Sequence, residues 1–160
     1  MGYEIERKFL IANDAWRGGI VGERHLRDGL VARFGQGKVR VRIDAERAWI
    51  TVKGPRVGFA RPEFEYPIPL GDAEAMLASL CDGPVVEKTR YLVPHDGLVW
   101  EVDIYDGILG GLAFAEVELP SVDHPLRPPH WVGREVTGDP KFRQAALLQA
   151  VGGSPALAVG

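Results

Sequence analysis

The sequence predicts a mainly β protein (α+β) built on a closed eight-stranded antiparallel β-barrel. Apolar and polar residues alternate with a period of two through eight segments, which is typical of strands with two different faces. Short turns rich in glycine and proline separate most neighbouring segments, as antiparallel pairing requires. The polar positions are almost all charged, and a barrel of about eight strands would bring these charged faces to one lumen.

Strands are predicted wherever the alternation is continuous, namely at 3–11, 24–33, 38–44, 47–53, 60–68, 85–93, 98–105 and 113–120. The first strand shows the pattern clearly, because Glu4, Glu6 and Lys8 share one face while Ile5 and Phe9 share the other. Turn sequences occupy the junctions, among them GQGK, GPRVG and PHDG. The sheet is therefore expected to be antiparallel.

Two segments, 72–81 and 139–150, have the apolar spacing of helices. Asp72 is the predicted N-terminal cap of the first helix. Asp139 is the predicted cap of the second, with Pro140 at its first helical position. We predict one domain over residues 1–152, followed by a flexible tail over 153–160.

The composition argues against several broad classes of protein. The chain has 160 residues and a formal net charge of −3, whereas a general nucleic-acid binder would have a basic excess. No apolar run approaches the ~20 residues of a membrane span, and no signal-like segment precedes the first strand. Cys81 is the one cysteine, so no internal disulfide can form. We therefore expect a cytoplasmic protein that binds neither nucleic acid nor membranes.

The charged positions of the predicted strands are sorted by sign. The basic ones are Arg40, Arg42, Lys53, Lys88 and Arg90, and the acidic ones are Glu101, Asp103, Glu116 and Glu118. For any single strand, a solvated outer face is the simpler explanation. For the whole set it is less satisfactory, because like charges two residues apart on one face repel each other unless a counter-ion lies between them.

The acidic positions and the basic positions each indicate a class of ligand. Paired carboxylates offer the oxygen atoms that Mg²⁺ and Mn²⁺ prefer, whereas clustered arginine and lysine bind phosphate groups, arginine often with two hydrogen bonds. A lumen with acids on one wall and bases on the other would hold a complex of a divalent metal with a polyphosphate. The charge pattern therefore predicts a metal and polyphosphate site inside the barrel.

The motifs that contain these charges resemble those of the CYTH proteins, also called triphosphate tunnel metalloenzymes. The matching stretches are EIERKF at 4–9, LRDG at 26–29, RVR at 40–42, TVK at 51–53, RPEFE at 61–65, EKTRY at 87–91, EVD at 101–103, EVE at 116–118 and GREVTGD at 133–139. They cover roughly residues 3 to 150 and are most similar to short, single-domain bacterial members of the inorganic triphosphatase type. The resemblance implies an eight-stranded tunnel with a C-terminal plug helix at one mouth.

The resemblance also implies roles for individual residues. It suggests a metal-binding group consisting of Glu4, Glu6, Asp103, Glu116 and Glu118, with Glu63, Glu65 and Glu101 as less direct members. The implied triphosphate ligands are Lys8, Arg40, Arg42, Lys53, Arg61, Arg90 and Arg143. Lys88 is similar to the residue proposed in related enzymes as the general base that activates water. Like-charge repulsion from Arg90 would lower its pKa toward the range which that role needs.

The expected function is the hydrolysis of inorganic triphosphate with Mg²⁺ or Mn²⁺, in a monomer or a homodimer. Two alternatives remain open within the family: a class IV adenylate cyclase, and a thiamine or nucleoside triphosphatase. The sequence shows no clear pocket for a base, which favours the inorganic substrate. A third alternative is a polyphosphate-binding module without catalysis, which the presence of every expected metal ligand argues against.

Overall fold

The computed structural model describes residues 2–151, apart from the side chain of Ala145. Within them, nine strands follow one another: β1 (Tyr3–Ile11), β2 (Gly22–Phe34), β3 (Gly37–Asp44), β4 (Arg47–Lys53), β5 (Ala60–Ile68), β6 (Val86–His95), β7 (Leu98–Asp106), β8 (Ala113–Glu118) and β9 (Val132–Glu135). The helices are α1 (Leu70–Ser79) and α2 (Gln144–Val151). Short 3₁₀ turns span Asp14–Gly19, Gly107–Leu109 and Pro140–Phe142.

Eight of the strands close into the predicted antiparallel barrel, in the order β5-β4-β3-β2-β6-β7-β8-β1. The closing seam is short, since β1 meets β5 only through Tyr3, Glu4 and Ile5. Along its other edge β1 pairs with β8 from Glu6 to Phe9. The eight-stranded prediction is therefore confirmed, and β9 is an addition that pairs with the end of β1.

Tight turns let neighbouring strands pair directly. The β6–β7 turn has positive φ at both Asp96 (51°) and Gly97 (78°), which matches the twist of the two strands it joins. Asp96 tolerates this conformation better than most residues with a side chain. The turn PHDG, read from the sequence as a junction, is thus the connection of a two-stranded hairpin.

The apolar strand faces point outward and are covered by three clusters of side chains. One cluster includes Phe9, Trp100 and Trp131 beneath the loops around β1 and β7. A second lies between α1 and the outer face of β3 and β4. The third joins Tyr105 and Phe114 to Phe142, Leu147 and Leu148 of the C-terminal segment. Because this core lies outside the sheet, the charged faces are left inside the barrel.

Both predicted helices need correction. Helix α1 begins at Leu70 and not at Asp72, and the residue at its cap position is Pro69, which makes no side-chain capping hydrogen bond. The second predicted helix is divided, because Arg143 is extended between the 3₁₀ turn and α2. Asp139 does act as a cap, accepting a hydrogen bond from the Lys141 amide at 3.0 Å, but it caps the 3₁₀ turn.

The tail predicted over 153–160 lies outside the described residues. Over the range that is described, neither helix has the length and apolar character needed to cross a membrane.

Candidate active site in the barrel interior

A cavity of about 1030 Å³ occupies the barrel interior and extends to the β2–β3 turn and the segment 136–149. Its lining is dominated by basic side chains from different elements, namely Lys8, Arg33, Lys38, Arg40, Lys53, Arg56, Arg61, Lys88 and Arg143. The acids among its lining residues are fewer: Glu6, Asp82, Glu116 and Asp139. A space of this charge and size suits a small, highly charged anion.

Strand register assembles the basic side of this cavity. Directly paired residues share a face, and the pairing aligns Arg33 of β2, Lys38 of β3 and Lys53 of β4 in one row. Arg40 and Arg42 follow on β3 at spacings of two residues. These five residues are called the basic wall below.

The acidic side is assembled in the same way by β1, β7 and β8. Glu6 pairs with Glu118, and Glu116 lies between Lys8 on one neighbouring strand and Glu101 on the other. Glu6, Glu101, Asp103, Glu116 and Glu118 are called the acidic wall below. The two signs of charge read from the sequence are therefore carried by different sectors of one barrel.

The carboxyl groups of Glu6 and Glu116 lie near enough in this wall for each to shift the pKa of the other. Burial raises the pKa of Glu6 well above its usual range, and the neighbouring Glu116 raises it further. Burial acts in the same direction on Glu116, but its interaction with Glu6 and the charge of Lys8 outweigh burial and hold the pKa of Glu116 well below the usual range. The two carboxyl groups therefore differ in acidity, and Glu6 is the more readily protonated of the two.

Glu4 and Glu63 belong to a second group around Lys53. The Lys53 Nζ lies 3.1 Å from Glu4 Oε1 and 3.2 Å from Glu63 Oε2. Burial would raise the pKa of Glu4, but the charge of Lys53 reverses this and lowers it. Lys53, expected to bind substrate, is thus neutralised by two residues expected near the metal.

Asp103 is the centre of a third group and is fully buried. Arg90 donates two hydrogen bonds to its carboxylate, at 2.8 and 2.9 Å, and Lys88 Nζ donates another at 2.7 Å. Arg90 also donates to Glu101 at 3.1 Å. In this arrangement Asp103 orients the two basic residues of β6.

Glu118 and Glu65 are exposed and stand apart from these groups. Glu65 accepts a hydrogen bond from Thr51 Oγ1 at 2.8 Å. The acids expected to bind metal are therefore divided among three groups and two exposed positions.

The side-chain environment of Lys88 bears on its expected role. Burial lowers its pKa, and Arg90 and Arg42 lower it further, whereas the ion pair with Asp103 opposes this shift. Its Nζ also lies 3.9 Å from Asp28 Oδ2 and 5.4 Å from the centre of the Tyr105 ring. Lys88 is therefore a buried amine that is held in place and is easier to deprotonate than an ordinary lysine.

Asp28 is a site residue that the sequence pattern did not identify. Its buried carboxylate accepts two hydrogen bonds from Arg42, at 2.6 and 2.8 Å. It lies directly across from Arg42 in the β2–β3 register. The available signal was an acid at an inward position of β2, between Leu26 and Leu30, but the sequence alone gave no reason to pair it with Arg42.

The remaining expected triphosphate ligands differ in how they are held. Arg61 donates to the Gly54 carbonyl at 2.7 and 3.0 Å, and Lys8 donates to the Phe142 carbonyl at 2.9 Å. Arg143 is exposed at the cavity lining. Arg40 is different, because its Nε is buried and has no hydrogen-bond partner among the described residues.

The donor chemistry of the acidic wall fits a divalent cation, since all its candidate ligands are carboxylate oxygens. The charge of Glu116 raises the pKa of Glu6, and a cation between the two carboxylates would relieve this repulsion. Within residues 2–151, however, no three acid, imidazole or thiol side chains converge as a ready metal cluster. Glu4 and Asp103 do not complete one because they are turned toward Lys53 and Arg90.

Comparison with known proteins agrees with this architecture. The chain is 42% identical over 149 residues to an inorganic triphosphatase of Acetivibrio thermocellus, covering 93% of this chain and 95% of that protein. It is 36% identical to an inorganic triphosphatase of Nitrosomonas europaea, covering 92% of this chain and 98% of that protein. A crystal structure of an inorganic triphosphatase superposes with a TM-score of 0.65 at 34% identity, covering 91% of this chain and 97% of that chain.

The sequence motifs predicted the CYTH family, and a match to that family covers most of the chain. The CYTH domain family matches residues 2–142, which includes every strand of the barrel and β9. Together with the two relatives above 30% identity, this match shows that the chain belongs to the CYTH domain family.

Proposed function

We propose that this protein hydrolyses inorganic triphosphate with the help of Mg²⁺ or Mn²⁺. The observation that supports it most is Arg40, which lines the cavity opposite Glu6 and Glu116 and whose buried Nε has no hydrogen-bond partner among the described residues. A buried donor without a partner is costly, so its retention here favours an anionic ligand. The names of the two curated relatives point to the same substrate.

Glu6 and Glu116 are the residues best suited to hold the cation, with Glu4 and Glu118 near them on the same two strands. When bound, Mg²⁺ or Mn²⁺ would neutralise part of the charge on triphosphate and act as a Lewis acid toward the attacked phosphoryl group. The remaining coordination positions suit water and substrate oxygens, which Mg²⁺ commonly keeps as ligands. The acidic wall of this chain would therefore supply only part of the coordination.

The basic wall would bind and orient the anion. Within residues 2–151 the Nε of Arg40 makes no hydrogen bond that an anion would have to replace, whereas Arg42 is held in place by Asp28. Held cations need no reorganisation as charge spreads over the transferred phosphoryl group, and such preorganised electrostatics are a large part of phosphoryl-transfer catalysis. Arg61, Arg90, Lys8, Lys53 and Arg143 would complete the set of ligands.

Lys88 is proposed as the general base that takes a proton from the attacking water. Its lowered pKa makes the neutral amine accessible, and Asp103 at 2.7 Å fixes the direction of the Nζ. Once protonated, Lys88 would be stabilised by the same carboxylate. Arg90 cannot take this role, because a guanidinium stays protonated at any working pH.

One experiment separates this activity from the alternatives. Triphosphate, ATP and thiamine triphosphate are each incubated with the protein, with and without Mg²⁺ or Mn²⁺, while phosphate, pyrophosphate and cyclic AMP are measured. Metal-dependent release of phosphate, fastest from triphosphate, is the expected result. Cyclic AMP with pyrophosphate from ATP would indicate a cyclase, and tight binding of triphosphate without turnover would indicate a binding module.

A further inference from the structure

Lys38 lies at the centre of an unbalanced row of positive charge. Strand register sets it directly between Arg33 of β2 and Lys53 of β4, and it lines the cavity. Like charges placed directly across neighbouring strands destabilise a sheet. Lys53 is neutralised by Glu4 and Glu63, but within residues 2–151 no carboxylate lies in ion-pair distance of Lys38.

The charged groups around Lys38 are mostly cations. Burial lowers its pKa to about 7, and three basic groups act in the same direction: Lys53, Arg40 and Arg61. Asp28 opposes them from β2. Within the described residues, none of the acids of the cavity lining forms an ion pair with Lys38, namely Glu6, Asp82, Glu116 and Asp139. Near neutral pH the side chain is therefore neutral in an appreciable fraction of molecules.

The site already described contains a buried cationic group next to Lys38 that lacks a partner within the described residues. Arg40 stands two residues along β3, on the same face, with its buried Nε free of hydrogen bonds among the described residues. Adjacent basic groups that lack counter-ions form a place where an anion lowers the energy of both. Substrate oxygens bound at Arg40 would also be close enough to favour the charged form of Lys38.

We propose that Lys38 is an additional substrate-binding residue of the basic wall, and that it takes up a proton from solvent when triphosphate binds beside Arg40. The inference rests on the proposed function, because triphosphate is the anion it requires. It assigns a role to a residue outside the triphosphate ligands read from the sequence motifs. The neutral amine becomes an ammonium group, and no other bond is made or broken.

This proposal gives triphosphate binding a specific pH dependence. At pH 6 Lys38 is already charged, so its full attraction for the anion is available. As the pH rises to 9, binding must also charge an amine that is neutral in the free protein, and the advantage of having Lys38 shrinks. Lys38→Met lacks this group, so the ratio of its Kd to the wild-type Kd reports Lys38 alone. Titration of triphosphate itself cancels in that ratio.

The test measures triphosphate binding by calorimetry at pH 6, 7, 8 and 9, without added metal and with a chelator, so that no turnover occurs. We expect Lys38→Met to bind about tenfold more weakly at pH 6, the scale of one charge-assisted hydrogen bond, and less than about threefold more weakly at pH 9. Arg127→Met, which removes an exposed positive charge outside the cavity lining, is expected to bind like the wild type throughout.

A ratio that stays constant across the pH range would overturn the proposal, since a merely structural role predicts a constant ratio. Undetectable binding of triphosphate by the wild-type basic wall without metal would also overturn it. Hydrolysis of triphosphate with Mg²⁺ is measured on the same wild-type preparation. Normal hydrolysis with either of these results contradicts the role of Lys38 alone, whereas absent hydrolysis and absent binding together contradict the proposed function.

Lys38→Arg provides a second line of evidence. Arginine keeps the positive charge but does not titrate in this range. The affinity of Lys38→Arg for triphosphate, relative to that of the wild type, should therefore increase as the pH rises from 6 to 9. A Lys38→Arg variant that follows the wild-type pH dependence would contradict the proton uptake.

Discussion

At the scale of single residues, three lysines of the barrel interior have different electrostatic environments. Lys53 is neutralised by Glu4 and Glu63, Lys88 is bound to Asp103, and Lys38 has no acidic partner among the described residues. These environments follow from strand register and depth in the barrel, because all three lysines occupy inward positions of the alternating pattern. Identity alone therefore does not fix the role of a lysine here.

Lys88→Arg tests whether this lysine moves a proton. Arginine keeps the charge beside Asp103 but removes a group that can be neutral at working pH. We expect triphosphate binding within about tenfold of wild type, or ~1.4 kcal/mol, and a loss of about 10²-fold or more in kcat. The wild-type rate should rise with pH as Lys88 deprotonates, and the variant should lose that rise. Steady-state kinetics from pH 6 to 10 measure both, with thermal unfolding as a check on folding.

A near-normal kcat for Lys88→Arg would leave this residue as a phosphate ligand. The effect would then appear mainly in KM, and another group would have to accept the proton. Arg127→Lys is a suitable control, since it exchanges the same two residue types at an exposed position away from the cavity.

Glu116→Gln tests the carboxyl pair of the acidic wall. Glutamine keeps the shape of the side chain but removes a charge that a cation would need. We expect Mg²⁺ affinity to fall at least about tenfold, because loss of even an outer partner of a metal ligand commonly costs 10–100-fold. Calorimetric titration with Mg²⁺ and turnover at limiting Mg²⁺ measure the change. Glu118→Gln should have a smaller effect, since Glu118 is exposed.

Equal metal affinity in Glu116→Gln and the wild type would contradict the assignment of the metal to this wall. Glu46→Gln provides the control, because Glu46 is an exposed acid in the turn between β3 and β4.

Asp28→Asn tests the buried ion pair that the sequence did not reveal. Arg42 would lose its counter-ion, and breaking one partner of a buried pair typically costs about 3–5 kcal/mol of unfolding free energy. Arg42 holds the pKa of Asp28 well below its ordinary value of 3.8 despite burial, so the stabilisation exists above that value and is lost as the pH falls further. Urea unfolding at pH 7 should therefore show the full difference between wild type and variant.

The ion pair of Asp28 and Arg42 also predicts how the unfolding free energy changes at acid pH. Below about pH 4 the wild type progressively loses the contribution of Asp28, so its difference from Asp28→Asn should shrink. A difference that stays constant from pH 7 to pH 3 would mean that the charge of Asp28 is not the stabilising feature. Asp44→Asn, at the partly exposed pair with Arg24, should cost much less.

At the scale of elements, the strands could be read from the sequence more accurately than the helices. The predicted bounds of β1, β4 and β5 agree with the structure, because their period-two pattern continues to both ends. β9 has only four residues and follows a proline-rich stretch, too short for a recognisable alternation. Its place beside β1 depends on a register between residues more than 120 positions apart.

The division of the second predicted helix also has a tertiary cause. The Phe142 carbonyl accepts the Lys8 Nζ at 2.9 Å, and the Phe142 ring packs edge-on against Phe114 with centroids 6.0 Å apart. Both contacts cross from the C-terminal segment to the barrel, so local helical spacing could not predict them. The plug role of this segment nevertheless followed from the resemblance, and its residues do line the cavity.

Gly29→Ala tests the close approach of β2 to α1 and to Cys81, which follows α1. A Cβ at Gly29 would collide with Cys81 Sγ and Leu77 Cδ2, which lie over this part of the strand. Overpacking of this kind typically costs about 1–3 kcal/mol. Thermal and urea unfolding measure it. Gly71→Ala is the matched control in α1, because nothing lies within 4 Å of its new Cβ, and it should be neutral or slightly stabilising. Equal stability of both variants would contradict the packing argument.

At the scale of the whole molecule, the net charge does not reveal the charge of the barrel interior. The chain has a formal net charge of −3, yet its central cavity is lined mainly by cations. Period two in the sequence revealed that one face of many strands is ionic, and barrel closure then directed those faces inward. Some cations are ion-paired, and others, such as Arg40 and Lys38, have no acidic partner among the described residues. This division could not be read from the sequence, because it depends on which strands face each other across the lumen.

Arg40→Gln tests whether the barrel gives up stability to keep a binding site. Removing a buried, unpartnered charged group should raise the unfolding free energy of the free protein by about 1–2 kcal/mol. Triphosphate at 100 times its Kd should stabilise the wild type by about 2.7 kcal/mol, or roughly 5–10 °C in Tm for a chain of this size. Arg40→Gln should be stabilised much less by triphosphate, because it lacks the guanidinium group that binds the anion.

The order of the two melting temperatures should therefore reverse on adding ligand: Arg40→Gln melts higher without triphosphate, and the wild type melts higher with it. Scanning calorimetry at fixed ionic strength measures both states, with Arg127→Gln as a control whose exposed charge should affect neither. A variant that is less stable in both states would mean that Arg40 holds the barrel together. Equal gains from triphosphate would mean that the anion binds elsewhere, since a ligand stabilises a fold only through groups that contact it.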